Sequence, residues 1–343
     1  MNPTVQSIAD HLGLAKSTVS MALRNNPTVS IKTRQRIQDA ARGMNYFPNA
    51  IAQAMSTGRA NVIGFATHGI ASEYHAIFID GLSEKADELG YLVKIIRVQW
   101  DFDAKALVAK CQSQCLSGLV CGEASESSVK ELVELAAGIG LPVSQIPGNP
   151  SLPKLISICC DDHLGIHQAV EHLVSLGHKR IGFIGGDPKT TSAKNREVGY
   201  RKAIESQGLK INSQDICSGD YLAASSQSAT QAILSQKNRP TALICANDMM
   251  AMVVIRTARS MGIQTPGDIS VVGFSDLHMA ELCDPPLTSI RQPQREMGQL
   301  AIEHVVSAIK YRLNQVKPAS EIPVNENLET QLIIRESTSR VLV

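Results

Sequence analysis

Three short stretches of the 343-residue chain hold residue types able to do chemistry. Asp161-Asp162-His163 sets two carboxylates beside an imidazole, the equipment of proton transfer. Gly182-Phe-Ile-Gly185-Gly186 offers the bare backbone that a nucleotide phosphate can approach, and Cys111-x-x-x-Cys115 puts two thiols about one helical turn apart. Each loses force in its setting. The acidic pair follows a strand-like run and precedes a helical one, where N-capping and cleft polarity account for it. The glycines lack dinucleotide-fingerprint spacing, and no Gly-rich loop ends in Gly-Lys-Ser/Thr. A nucleophile elbow and a His-Glu-x-x-His pair are also missing from the sequence. No second Cys pair or nearby His completes a metal site, so neither a metal nor another cofactor is expected. The eight Cys read as reduced thiols in apolar stretches. The chain is not expected to be an enzyme.

The elements that would position these residues fall into two blocks. Residues 1–60 carry seven Lys/Arg (Lys16, Arg24, Lys32, Arg34, Arg36, Arg42, Arg59) against Asp10 and Asp39, a net +5. The whole chain is +1, so the remainder is −4. A basic head on a slightly acidic body fits a polyanionic partner for the head alone. Within it, Ile8, Ala9 and Leu12 share one helical face, and Val19, Ala22 and Leu23 another. Gly13 lies between them, where a tight turn needs positive φ. A third helix opens at Ser30 and aligns Ile37, Ala40, Ala41 and Met44. Three helices this short bury one small core together, which defines a helix-turn-helix domain.

From Asn61 onward, β-rich runs alternate with amphipathic helices. Strands are expected over Val62–Ala66, Leu92–Val98, Gly118–Cys121 and Pro142–Ile146. After a break around Pro147–Lys154 comes a second series near Ile156–Cys160, Arg180–Ile184, Asp215–Ser218, Leu243–Ala246 and Ile269–Phe274. Helices between them include Ile77–Leu89, Ala104–Leu116, Val129–Ile139, Gly165–Leu176 and Ser192–Gln207. Such alternation implies α/β architecture, two doubly wound parallel sheets with a ligand cleft at the strands' C-terminal ends. No apolar run reaches the roughly 18–20 residues that span a bilayer, and no signal peptide opens the chain, so a cytoplasmic location is expected.

Ile8-Ala9 with Gly13, the run Ser17-Thr18-Val19-Ser20, Val29-Ser30 with Thr33-Arg34, and Tyr46-x-Pro48-Asn49-Ala50 resemble the head of the lac repressor/galactose repressor family. Matches continue through His172-Leu173 with Leu176-Gly177-His178, Arg196-x-x-Gly199-Tyr200, Ala246-Asn247-Asp248, Val271-Val272-Gly273-Phe274 and Arg291-Gln292-Pro293. The resemblance implies an all-α head, residues 1–46, then a hinge helix and linker over 47–60. A body over 61–343 would follow, built like periplasmic sugar-binding proteins. One half of that body would be about 61–160 plus 290–320, the other about 161–289 plus 321–343. Thr288–Val306 would return to the first half, and the tail near Leu332–Ser337 to the second.

The resemblance also implies roles. In the second helix Lys16, Ser17 and Met21 fall at positions that read bases in the major groove. Two features depart from the family: Ala15 stands where a capping Ser or Thr is usual, and Met21 where Arg is common. Thr4, Thr18, Ser20, Asn25, Ser30, Tyr46, Asn49 and Ala52 complete the implied DNA-contact set. Met55 matches a minor-groove wedge at the end of a Pro-led hinge helix, which is too short to be stable without DNA and a partner hinge. In the body, Tyr74, Asp161, Arg196, Tyr221 and Asn247 match effector-pocket positions. Ser275 stands before Asp276 where some relatives place a ligand-binding Asp directly. A homodimeric repressor of double-stranded operator DNA is implied, controlled by a small molecule, a carbohydrate by resemblance. The chain ends soon after Arg335-Glu-Ser-Thr338 without a heptad tail, so a dimer rather than a tetramer is expected.

Overall fold

The computed structural model describes residues 3–23, 26, 28–46, 60–313 and 325–341. Asn25 and the hinge positions Asn49, Ala52 and Met55 lie outside the described residues. Two compact units make up the chain, Met1–Asn61 and Val62–Val343.

The head contains α1 (Val5–Leu12), α2 (Lys16–Leu23) and α3 (Ile31–Gly43). Thr4 starts α1 with a capping box: its hydroxyl accepts from Ser7 N, and the Ser7 hydroxyl accepts from Thr4 N. Gly13 ends α1 at φ 65°, the left-handed conformation that turns the chain into α2. Ser30 caps α3 by accepting from Thr33 N. Ile8, Ala9, Val19, Ala22, Val29, Ile37 and Ala41 are buried as one core. Leu12, Leu23, Ala40 and Met44, expected beside them, are only partly covered.

The second unit holds two six-stranded sheets. The first contains β1 (Val62–Thr67), β2 (Leu92–Arg97), β3 (Gly118–Cys121), β4 (Val143–Gln145), β5 (Ile156–Cys160) and β11 (Asn325–Leu328), ordered β11-β5-β4-β3-β1-β2 and parallel throughout. Its faces are covered by α4 (Glu73–Leu89) with α12 (Gln294–Arg312), and by α5 (Ala104–Ser113) with α6 (Glu126–Ile139). The second contains β6 (Ile181–Gly185), β7 (Ile216–Ser218), β8 (Ala242–Cys245), β9 (Ser270–Ser275), β10 (Thr288–Arg291) and β12 (Gln331–Ile333), ordered β12-β10-β9-β8-β6-β7, with only β12 antiparallel. Around it pack α7 (Asp162–Ser175), α8 (Thr191–Ser206), α9 (Ala223–Leu234), α10 (Asp248–Ser260) and the short α11 (His278–Leu282). Strands with both faces covered are apolar throughout, as the fully buried β8 run Ala-Leu-Ile-Cys illustrates.

Three expectations need correction. Ile156–Cys160, which alternation placed in the second series, belongs to the first sheet, on the side of the boundary at 160 that the resemblance implies, because it pairs in parallel with β4 and β11. Thr288–Arg291 stays with the second sheet, where Thr288, Ser289 and Ile290 are buried against β9. The return to the first half comes at Gln292-Pro293, since proline cannot extend the strand's hydrogen bonding and sits at the start of α12. Residues 325–328, assigned to the second half, pair with β5 in the first, and the last crossing falls between β11 and β12.

The three crossings lie together. Asp161 N donates to Leu328 O at 2.7 Å, and Thr330 Oγ1 donates to Asp161 O at 2.8 Å. Gln292 Nε2 donates to Cys160 Sγ at 3.0 Å, while its Oε1 accepts from Ser275 Oγ at 2.9 Å.

Candidate functional site

Polar residues follow the C-terminal ends of the parallel strands in both halves, where ligands of such sheets bind. In the first half, Tyr74 lies in the first turn of α4, Glu123 comes two residues after β3, and Asp161 directly after β5. In the second, Arg196 is on α8 after β6, Tyr221 follows β7, Asn247 follows β8 and Ser275 ends β9.

Arg196 is the centre of this group. It is 4% exposed, with its guanidinium carbon 3.8 Å from the centroid of the Phe274 ring. Nε donates to Asp162 Oδ1 at 2.9 Å and Nη1 to the Ala246 carbonyl at 2.6 Å. Nη2 makes no hydrogen bond to a described residue, so the fork keeps one arm for a ligand. Burial works to deprotonate the guanidinium, but the acidic groups around it, Asp162 first and then Tyr221, Tyr74 and Cys160, together outweigh burial and hold the charge. The ion pair lies within the second half, because α7 and α8 both pack on that half's core.

Tyr74 and Tyr221 lie near enough to this pair to feel the Arg196 charge. Tyr74 packs edge-on to Phe78 at 4.9 Å between ring centroids. Tyr221 adopts φ 57° and lies against Gly186, where a Cβ would stand 2.1 Å from the Tyr221 ring. Burial raises both phenols, so each keeps its proton and can donate to an oxygen. Near Tyr74, His75 is pushed down to about 4 by burial and by His68, and so stays neutral. The single Trp, Trp100, meets His68 edge-on at 6.0 Å.

Asn247 and Asp161 serve first as helix caps. Asn247 Oδ1 accepts from Met250 N at 2.8 Å, and Asp161 Oδ1 accepts from Leu164 N at 2.9 Å. Ser275 is buried and bonded to Gln292 at the crossing. The neighbouring Asp276 carboxylate is ion-paired with Arg291 and Arg335, each at 2.7 Å. Sequence reasoning missed Glu123 and Ser192, whose hydrogen bonds join the two halves: Glu123 Oε1 accepts from Ser192 N at 3.1 Å and Oγ at 2.9 Å. The signal was position alone, a polar residue just beyond a strand's C-terminal end.

In the head, Lys16 and Ser17 are exposed at the N-terminus of α2, with Thr18 partly exposed. Met21 is drawn partly onto the core and Tyr46 packs there too. Thr4 and Ser30 are exposed caps whose hydroxyls already serve the backbone. Arg34 donates to the Asn26 and Val29 carbonyls, and Arg42 pairs with Asp39. Lys16, Lys32 and Arg36 have no ion-pair partner among the described residues, leaving their charge for an external anion.

A lacI-family profile of bacterial regulatory proteins matches residues 4–49, and a periplasmic binding protein-like domain profile matches residues 170–338. The chain is 32% identical over 342 residues to the HTH-type transcriptional regulator DegA of Bacillus subtilis (strain 168), covering 99% of each. Against the HTH-type transcriptional repressor PurR of Photobacterium profundum it is 27% identical over 338 residues, covering 97% of this chain and 98% of that one. The lac repressor dimer bound to operator and the anti-inducer ONPF superposes with a TM-score of 0.81 at 28% identity, covering 99% of this chain and all of that one. Helix-turn-helix head and two-sheet body together define a DNA-binding transcriptional repressor with an effector-binding domain, not an enzyme. The chain belongs to the lacI family of bacterial regulatory proteins. No described helix is long and apolar enough to cross a membrane, and no described cluster of three or more His, Cys, Asp or Glu could hold a metal ion.

Proposed function

We propose that the chain is a cytoplasmic homodimeric repressor whose operator affinity is set by a sugar or sugar derivative held between the two α/β halves. The observation that carries the effector reading is the uncommitted arm of Arg196 beside two protonated tyrosines at the strand ends. Vicinal hydroxyls suit a planar donor, and a sugar ring face suits an aromatic such as Tyr221. Asn247, Asp161 and Ser275 fill the surrounding wall, the first offering the amide nitrogen that its capping bond leaves over. Lys16 and Ser17 read bases, and Met21 touches a thymine methyl rather than a guanine. Thr4, Thr18, Ser20, Asn25, Ser30, Tyr46, Asn49 and Ala52 make the remaining DNA contacts. Met55 wedges into the minor groove at the operator centre.

The domains are residues 1–46, the hinge and linker over 47–60, and the body over 61–343. A ligand that favours one angle between the halves alters whether two hinges can pair, a coupling of about 1–3 kcal/mol or roughly 5–150-fold in DNA affinity. The lac repressor dimer bound to operator is the assembly on which this reading is patterned.

Operator selection from random duplex DNA with the intact protein tests it, repeated with Met55→Gly and then with sugars added to the selected duplex. A palindrome with a fixed centre, loosened by Met55→Gly, is expected. Sugar response should be lost in Arg196→Lys, which keeps the charge beside Asp162 but not the fork. Selection of no sequence, with the sugars absent and again with them present as co-repressors, would overturn the proposal.

A further inference from the structure

The effector reading leaves the ligand's charge open, and the cleft's own charges bear on it. Arg196 is the cation at its centre, and Asp162 is bonded to it at 2.9 Å. Two more carboxylates lie at the strand ends, Asp161 and Glu123. Asp161 is turned to the backbone of α7. Glu123 reaches from the first half to the first turn of α8 in the second, accepting from the backbone N and the hydroxyl of Ser192.

Those donors are what a ligand phosphate or carboxylate would seek. The opening turn of a sixteen-residue helix presents unpaired N–H groups and the positive end of its dipole, a ready place for an anion. Here a side chain of the protein already occupies it. Thr190 caps the same turn by accepting from Ala193 N, so little of it remains unclaimed. An anionic ligand would have to displace Glu123 or lie beside its carboxylate, where like charges repel, and the Arg196 cation is already paired with Asp162.

We propose that Glu123 determines specificity in this cleft: its carboxylate takes the place of an anionic ligand group and restricts the effector to uncharged or cationic hydroxyl-bearing molecules. Burial raises the Glu123 carboxyl, with a lesser push from Asp162, and the Ser192 bonds and the Arg196 charge oppose that rise. The proposal rests on the effector reading of the cleft.

The test uses the full-length protein and Trp100 fluorescence, since that ring contacts His68, whose Nδ1 lies 3.3 Å from the Glu123 carbonyl. Neutral aldoses and glycosides are titrated, each paired with its phosphate ester or uronic acid, and inorganic phosphate is titrated alone. The wild type should bind one or more neutral members at least tenfold more tightly than the charged counterpart. Glu123→Gln, which keeps an acceptor for the Ser192 hydroxyl, should narrow that gap severalfold. Glu123→Ala should acquire saturable phosphate binding that the wild type lacks. Equal or tighter binding of the charged members by the wild type overturns the proposal and leaves the effector cleft standing. Phosphate titrations that are the same in Glu123→Ala and wild type also overturn it. No binding of any sugar by wild type or variants overturns the cleft reading itself, and the proposal with it.

Discussion

Single residues in this protein are explained by their partners more than by their own chemistry. Arg196 was legible in the sequence, but its commitment to Asp162 and Ala246 was not, since those partners lie 34 and 50 positions away. Glu123 was invisible because Gly122-Glu123-Ala124-Ser125 reads like any turn from a strand to a capped helix. Asp248 follows the same rule with a consequence in pH. It is fully buried, accepting from Leu277 N at 2.7 Å and from the Ser289 hydroxyl, and Gly273 leaves room for it, since a Cβ there would stand 2.3 Å from Oδ1. Burial pushes its carboxyl up to about 6, above the ordinary value near 3.8. The folded state therefore holds this proton more tightly than the unfolded chain. The resulting stability is full below about pH 4 and is lost as pH rises through about 6, an effect of at most about 3 kcal/mol. Urea midpoints of wild type and Asp248→Asn compared from pH 4 to 7.5 should show the wild type losing ground to the variant across that interval. A constant difference would remove Asp248 as the source.

Among the elements, periodicity revealed most helices and the core strands, because burial on both faces writes a continuous apolar run into β1, β3 and β8. It could not reveal pairing. Alternation alone groups β5 with the second series, since a buried parallel strand looks alike in either sheet, and only the boundary at 160 implied by the resemblance puts it in the first. The contact between α4 and α12 was equally hidden, for it depends on two glycines that carry no periodic signal. A Cβ at Gly81 would stand 2.1 Å from the Arg295 carbonyl oxygen, and one at Gly298 would stand 2.6 Å from the Phe78 carbonyl oxygen. The two backbones touch where side chains would otherwise keep helices about 8–10 Å apart. Gly81→Ala should therefore cost about 1–3 kcal/mol despite alanine's better helix propensity. Chemical denaturation measures this, and a stabilised variant would show that the helices can separate freely.

For the molecule as a whole, the charge division read from the sequence has a direct expression in the head, where Lys16, Lys32 and Arg36 remain for phosphates. A dimer neutralising roughly six to ten of them should lose about 10³–10⁵ in operator affinity between about 50 and 200 mM salt. Filter binding or anisotropy across that range checks it, and a flat response would mean that contacts other than charge dominate. The two-sheet plan was legible from alternation, whereas the exact places where the chain changes halves were not, since they turn on one proline and on short strands near the end. Those late crossings also bear on biosynthesis. The first sheet lacks β11 and its covering helix α12 until residues 294–328 have been translated, although its first strand begins at Val62. On the ribosome, the half encoded first must wait, with the α12-facing side of α4 uncovered, until Gln294–Arg312 has been read. A nascent chain halted before Gln294 would expose that apolar helix face to chaperones, and release of the remaining residues would be the event that closes both halves at once.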